Sequence, residues 1–167
     1  MKNKAPYSTT IMVSGGFDPI HVGHVRMILA AAEYGNVIVV ANSNKWLMRK
    51  KGYIFMPWEE RSEIIKSIRG VKEVVGVDDS DGTVCAALES YRPSMFGNGG
   101  DRTTKNTPEK ELCKKLGIKM VWCLGGDKIQ SSSDLVKDAN WAPSHVGIEG
   151  VPKPDKSIIL RGKKHEN

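Results

Sequence analysis

Two histidines near the start of the chain, His21 and His24, are spaced so that both can meet one anion. They follow the pair Gly15-Gly16, which comes directly after an apolar run. Glycine lets the backbone turn tightly, and a helix N-terminus offers unpaired N–H groups and the positive end of the helix dipole. If a helix begins near His21, the three-residue spacing places both rings on one face. Because Gly23 puts no side chain between them, this junction predicts a phosphate site.

Other polar groups lie at comparable places further along the chain. Lys50 and Lys51 lie beyond the second apolar run, Asp101 follows a later one, and Ser131 to Ser133 follow the last. The same residues have ordinary alternatives: the lysines as a solvated charge run, the aspartate as a turn former, and the serines as a helix N-cap. Their shared position after apolar runs favours a common binding edge.

The elements that would hold these groups alternate between strands and helices. Apolar runs predict strands at 10–14, 37–41, 73–77, 94–97 and 118–124. Helical patterns predict helices at 22–34, from Pro57 to Gly70, at 83–91, from Thr107 as N-cap to Leu116, and after Ser133. In the second of these helices, Ile64, Ile65 and Ile68 are expected to form the buried apolar stripe. Residues 49–51 are expected in a loop. The fold predicted is α/β, a Rossmann-like five-stranded parallel sheet with helices on both faces, whose ligands bind at the carboxyl ends of the strands.

The motifs resemble those of the nucleotidyltransferase superfamily that includes glycerol-3-phosphate cytidylyltransferase and heptose-1-phosphate adenylyltransferase. Residues 15–18 resemble its G-x-F-D element, and residues 21–24 resemble its H-x-G-H signature. Glu59-Glu60-Arg61 is similar to its Glu-x-Arg triplet, Gly100-Asp101 to its G-D element, and Ser131 to Ser133 to its I-S-S/T-T motif. The resemblance covers residues 11–137. We therefore expect a nucleotidyltransferase domain at 1–139 and a C-terminal extension at 140–167.

The resemblance also implies roles for individual residues. It assigns catalysis at the α-phosphate to His21, His24 and a lysine, with Lys51 preferred to Lys50. It assigns the departing pyrophosphate to the hydroxyls of Ser132 and Ser133 and implies Mg²⁺ with the triphosphate, but no protein ligands for a metal. Nucleotide binding is assigned to Gly15, Gly16, Phe17, Asp18, Gly23, Arg61, Gly100, Asp101, Lys128, Ser131, Ser132 and Ser133.

The substrates are less sharply indicated. The resemblance favours transfer of CMP from CTP to a small phosphorylated acceptor such as a polyol phosphate or phosphonate, by a homodimer. Asp127-Lys128 stands where cytidylyltransferases of this type carry an arginine, so Lys128 is the substitute cation. An ATP-dependent adenylyltransferase acting on a sugar 1-phosphate is the first alternative. A nucleotide-binding regulatory protein without turnover is the second, and an RNA-linked protein of the aminoacyl-tRNA synthetase type is the least favoured.

Composition narrows the class of protein further. The chain has 167 residues, is 40% hydrophobic and carries a formal net charge of +6. Its charge is dispersed and not interleaved with aromatic residues, so small phosphates are favoured over nucleic acid as partners. The three cysteines are odd in number and lack metal-ligand spacing, which is typical of buried thiols in a reducing compartment. With no apolar run long enough to span a bilayer and no signal-like segment, we expect a cytoplasmic protein without a membrane partner.

Overall fold

The computed structural model describes residues 9–105 and 107–141. This part of the chain forms one parallel sheet flanked by helices. The strands are β1 Thr10–Gly15, β2 Asn36–Ala41, β3 Val71–Val75, β4 Met95–Gly99 and β5 Lys119–Leu124. The helices are α1 Val22–Ala32, α2 Asn44–Lys51, α3 Trp58–Lys66, α4 Cys85–Tyr91, α5 Lys110–Leu116 and α6 Ser132–Asp138. Residues 142–167, most of the expected extension, lie outside the described residues.

The strand order is β3-β2-β1-β4-β5, with every neighbouring pair parallel. The strand order reverses between β1 and β4: β2 and β3 are added on one side of β1, and β4 and β5 are added on its other side. In open parallel sheets the ligand crevice lies outside the carboxyl ends of the strands at such a reversal. The prediction of a five-stranded Rossmann-like sheet is confirmed, and the reversal places the crevice beside the end of β1.

The core lies on both faces of the sheet. One face packs α1 and α3 against the strands through Ile28 and Ile65, which are fully buried. The other face packs α4 and α5 through Leu88 and Cys113, which are also fully buried. Because the strands are covered on both sides, β1 and β2 read as continuous apolar runs in the sequence, as expected for parallel strands. In the described ranges, no helix is long and apolar enough to cross a membrane.

Several predicted boundaries are wrong. Residues 49–51 end the helix α2 and do not lie in a loop. Strand β3 begins two residues earlier than predicted, and α3 ends at Lys66 rather than near Gly70. Ile64, predicted as part of the buried stripe of α3, is 41% exposed. Helix α5 is preceded by Glu109 without a side-chain cap, so Thr107 is not the N-cap; its hydroxyl donates to the carbonyl of Thr103 instead.

Candidate active site

The two histidines form the first turn of α1 and bond to its backbone. His21 is the N-cap, and its Nδ1 accepts a hydrogen bond from the Gly23 amide at 3.1 Å. His24 reaches back, so that its Nδ1 accepts from the His21 amide at 3.2 Å. This is the reciprocal capping-box arrangement with imidazoles in place of the usual hydroxyl and carboxylate. Since each Nδ1 is an acceptor, the neutral ring carries its proton on Nε2, and both Nε2–H groups are left to donate to a ligand.

Burial and neighbouring cations keep both imidazoles neutral. The pKa of His24 is lowered to about 3, first by burial and then by the proximity of His21 and Lys51. The pKa of His21 is also lowered, by burial and by the positive charges of Lys128 and Lys51. The rings stack with their centroids 3.8 Å apart. The pair is therefore a rigid source of two neutral N–H donors at neutral pH, not a pair of cations.

Small residues around the pair leave room for the rings. A Cβ at Gly23 would lie 2.9 Å from Cε1 of His21, so a larger residue would displace that ring. Phe17 is buried and packs edge-on against His24, with ring centroids 4.9 Å apart. A Cβ at Gly15 would lie 3.3 Å from the Phe17 ring, and one at Gly16 would lie 3.1 Å from Leu47. These predicted site residues thus shape the site by packing.

Asp18 and Arg61, two further predicted nucleotide-binding residues, turn away from the crevice. Both side chains are fully buried. The Asp18 carboxylate accepts from the backbone amides of Phe55 and Met56. The Arg61 guanidinium donates to the carbonyls of Gly16, Asn42 and Met56 and to the side-chain oxygen of Asn44. A direct contact with nucleotide is therefore not available to either residue in this structure. They fix the glycine turn, the end of β2 and the loop before α3 relative to one another.

Lys50 and Lys51 both border the crevice but differ in how they are held. The Lys51 ammonium donates to the carbonyl of Asp18 at 2.8 Å, and the side chain is partly buried. Its pKa is lowered by burial, an effect that the nearby Asp18 carboxylate opposes. Lys50 is exposed. Only Lys51 of this pair is positioned by a hydrogen bond to the turn that carries the histidines.

A cavity of about 360 Å³ lies against the histidine pair. The predicted residues that line it are His21, Gly23, His24, Lys50, Lys51, Gly100, Asp101, Lys128, Ser131, Ser132 and Ser133. Side chains from four strand ends thus meet at one crevice. The glycine turns after β4 and β5 pack closely against each other, because a Cβ at Gly100 would collide with the carbonyl of Gly126. Lys128 and Asp101 approach within 3.9 Å across the cavity wall.

The serine run divides into different environments. Ser131 is the N-cap of α6 but makes no side-chain cap bond, and Ser133 is partly buried. Ser132 is 8% exposed, and its hydroxyl donates to the carbonyl of Pro19 at 2.7 Å. This bond joins α6 to the loop that precedes the histidines. The donor of Ser132 is therefore already used in the protein, whereas its oxygen remains an acceptor.

Sequence reasoning missed a buried network at the end of β2. Asp79 is 3% exposed, and its carboxylate accepts from the Asn42 side chain and from the amide and hydroxyl of Ser43. Arg49 donates to the Asp79 carbonyl at 2.7 Å. Asn42 and Ser43 could have been found from the sequence, because they follow an apolar strand directly, as the other site residues do. Asp79, in contrast, lies in an acidic turn without any periodic pattern.

No group of three or more histidine, cysteine, aspartate or glutamate side chains in the described residues is arranged to hold a metal ion. Asp101 and Asp127 line the cavity as separate carboxylates. Mg²⁺ often binds through substrate phosphates, several waters and only one or two carboxylates. The donor set is therefore compatible with a cation that arrives with a triphosphate.

A family model, curated relatives and solved structures match this chain. A family model described as cytidylyltransferase-like matches residues 12–160. An FAD synthase of Thermococcus kodakarensis is 33% identical over 112 residues, which is 65% of this chain and 73% of that protein. A bifunctional protein HldE of Streptomyces coelicolor is 32% identical over 142 residues, 83% of this chain but 30% of that protein, so the chain spans under a third of that relative. A lipopolysaccharide core biosynthesis protein from Thermoplasma volcanium shares the fold, with a TM-score of 0.57, 21% identity, and coverage of 69% of this chain and 95% of that one.

Proposed function

Because the chain belongs to the cytidylyltransferase-like family and is a nucleotidyltransferase, we propose that it transfers an adenylyl group from ATP to a small phosphorylated acceptor and releases pyrophosphate. One observation carries the proposal: the His21 and His24 rings stack on the wall of the crevice with both Nδ1 atoms bonded to backbone. This fixes two neutral Nε2–H donors side by side. Such a pair suits the oxygens of one phosphate.

The reaction needs positioning and charge stabilisation more than proton transfer. An acceptor phosphate is already an anion, so it attacks the α-phosphorus in line as the bond to pyrophosphate breaks, without a general base. Negative charge grows on the α-phosphate oxygens. Donors that are preorganised toward that charge stabilise the transition state because they need not reorient during the reaction. In the proposal, His21 and His24 donate to these oxygens and Lys51 adds positive charge beside them.

The leaving pyrophosphate is assigned to the part of the crevice that residues 128–133 line. Ser131 and Ser133 line the cavity there, and Lys128 supplies a cation. The proposed role of Ser132 differs from the one expected from sequence, because its hydroxyl is bonded to Pro19. Ser132 then holds α6 against the histidine loop, and Mg²⁺ enters as part of the substrate, bound to the triphosphate.

The choice of ATP over CTP rests on the relatives. Sequence motifs alone favoured CTP slightly. FAD contains an adenylyl group, and relatives with the name FAD synthase match 70% and 73% of their own length. We therefore place ATP first. Transfer of CMP from CTP to a polyol phosphate is the second candidate, which the cytidylyltransferase-like description of the matching family model favours.

Nucleotide binding and turnover test the proposal separately. Calorimetric titration of the full chain with ATP, CTP, GTP and UTP, each with Mg²⁺, identifies the base. Pyrophosphate release is then measured with glycerol 3-phosphate, ethanolamine phosphate and sugar 1-phosphates as acceptors. We expect ATP to bind most tightly and to support release. Tighter binding and release with CTP would replace ATP by the second candidate, and tight binding without release on any acceptor would favour a regulatory protein without turnover.

The resemblance also leads us to propose a homodimer. Light scattering coupled to size-exclusion chromatography measures the mass directly. A mass near twice the 18.4 kDa of the chain is expected, and a monomer mass at assay concentrations would contradict it.

A further inference from the structure

A second cavity of about 160 Å³ adjoins the crevice at the carboxyl ends of β1 and β4. The two cavities share the lining residues His24, Met27, Gly99 and Asp101. His24 therefore borders both spaces. In an in-line displacement the acceptor and the leaving group lie on opposite sides of the reacting phosphorus. If His24 donates to the reacting phosphate, the nucleotide lies in one of the two cavities and the acceptor in the other, with His24 at the boundary between them.

One residue that lines this second cavity, Glu109, carries a buried carboxylate. Glu109 is 5% exposed, and one of its carboxylate oxygens accepts from the Val84 amide at 3.1 Å. The other oxygen accepts no hydrogen bond from the residues that the structure describes. Within those residues no side-chain oxygen or nitrogen is both sealed from solvent and without a partner. The second oxygen of Glu109 is therefore reached by solvent, and Glu109 is one of the residues that line the cavity.

Asn98 adds a second acceptor to the same wall. It is 5% exposed, and its side-chain nitrogen donates to the carbonyls of Phe96 and Val121 at 3.5 and 3.4 Å. In this orientation, no group among the residues that the structure describes donates a hydrogen bond to the side-chain oxygen of Asn98. Arg102 and Asp101 also line the cavity but are exposed, and both make further contacts. The two buried polar side chains of the lining, Asn98 and Glu109, thus offer acceptors, while the exposed Asp101 and Arg102 carry charges of opposite sign.

We propose that this second cavity binds the body of the acceptor substrate and that Glu109 is a specificity-determining residue selecting hydrogen-bond donors on it. The inference rests on the proposed function, which supplies the acceptor phosphate. A ligand that fills the cavity displaces water from this oxygen, which is costly unless the ligand itself donates a hydrogen bond to it. The group that meets it is a hydroxyl or an ammonium carried on a short chain from the acceptor phosphate.

Three phosphate monoesters of similar size test this chemistry. Glycerol 3-phosphate offers hydroxyls, ethanolamine phosphate offers an ammonium, and propyl phosphate offers neither. Each is titrated calorimetrically into the full chain saturated with Mg²⁺ and α,β-methylene ATP, or the CTP analogue if CTP binds more tightly. The variant Glu109→Gln keeps a carbonyl oxygen for the Val84 amide but turns an amide N–H toward the cavity. Glu111→Gln, a change at an exposed residue of α5, is the matched control.

We expect propyl phosphate to bind at least tenfold more weakly than the better of the other two. Glu109→Gln should weaken that better ligand by roughly 10- to 100-fold, the loss of one charge-assisted hydrogen bond, and leave propyl phosphate unchanged. A larger effect on ethanolamine phosphate identifies an ammonium as the donor, and a larger effect on glycerol 3-phosphate identifies a hydroxyl. Equal binding of all three by the wild type, equal losses in the variant, or no binding of any would overturn the proposal. Because the titration needs no turnover, failure of pyrophosphate release is separately recognisable as failure of the proposed function.

Discussion

His21 and His24 stack as near-parallel rings, 3.8 Å between centroids and 23° between planes, at the first turn of α1. Two protonated imidazoles at this distance would repel each other, so the contact depends on their being neutral. Burial is the largest cause of the lowered pKa of each ring, and the proximity of His21 lowers the pKa of His24 further. In the proposed function, the two histidines therefore act on the phosphate as oriented neutral donors and not as cations.

The lowered pKa of His24 predicts a dependence of stability on pH. Its pKa is about 3 in the folded protein and about 6.5 in the unfolded chain. Between these values the unfolded state binds more protons, so stability is fully present above pH 6.5 and is lost as pH falls toward 3. His24 should contribute up to about 1.4 kcal/mol per pH unit to this loss.

The measurement is the free energy of unfolding in urea at pH 7 and pH 4.5 for the wild type and His24→Gln. Glutamine suits this capping-box position but does not titrate. Carboxylates and His21 titrate in both proteins, so the difference between them isolates His24. We expect the stability advantage of the wild type to shrink at pH 4.5, and a difference that is independent of pH would contradict the assignment.

The close approach of Gly23 to His21 predicts a loss of activity without unfolding. In Gly23→Ala the new Cβ would lie 2.9 Å from Cε1 of His21 and push the ring from its position. Misplacing a catalytic donor by about 1 Å costs on the order of 100-fold in rate. We expect kcat for nucleotidyl transfer to fall roughly 10- to 100-fold while the melting temperature changes by only a few degrees. Gly76→Ala is the control, since its Cβ would meet Trp58 at an ordinary 3.7 Å.

The different anchoring of Lys50 and Lys51 predicts unequal rate losses. Lys51→Ala removes an ammonium held by the Asp18 carbonyl beside the histidine turn, and we expect a loss on the order of 100-fold in kcat. Lys50→Ala removes an exposed charge and should cost less than roughly fivefold. Steady-state pyrophosphate release measures both. Two small losses would mean that the residues act only as a solvated charged surface.

The buried guanidinium of Arg61 predicts a stability effect that a lysine cannot rescue. Arg61 donates to three backbone carbonyls and to Asn44, and a lysine cannot reproduce this fork. Carbonyls left without donors should lower the free energy of unfolding by about 3 kcal/mol or more in Arg61→Lys, measured in urea. Arg69→Lys, at an exposed position in the turn before β3, should change it by less than about 0.5 kcal/mol. Equal losses of stability in Arg61→Lys and Arg69→Lys would contradict the positioning role of Arg61.

The missed helix α2 shows where periodicity stops being informative. Leu47 is its one buried residue, so the apolar stripe that identifies a helix is absent. Its end signals were present: the Ser43 hydroxyl accepts from the Trp46 amide, and Gly52 adopts a left-handed conformation with φ of 79°. For α2, the capping residues Ser43 and Gly52 indicate the helix better than its hydrophobic periodicity does.

The sequence by itself determined the strand, glycine turn and histidine helix, the alternation that yields a parallel sheet, and the meeting of polar groups at one edge. These follow from spacing within a few residues and from the geometry of parallel strands. Only the tertiary structure decided which polar groups at that edge face the crevice. Asp18 reaches Phe55 and Met56, Arg61 reaches Gly16, and Glu109 reaches Val84, each across a gap of 25 or more residues. The direction of a polar side chain at a sheet edge depends on which distant backbone groups need a hydrogen-bond partner once the segments pack. The residues next to that side chain in the sequence do not specify those groups.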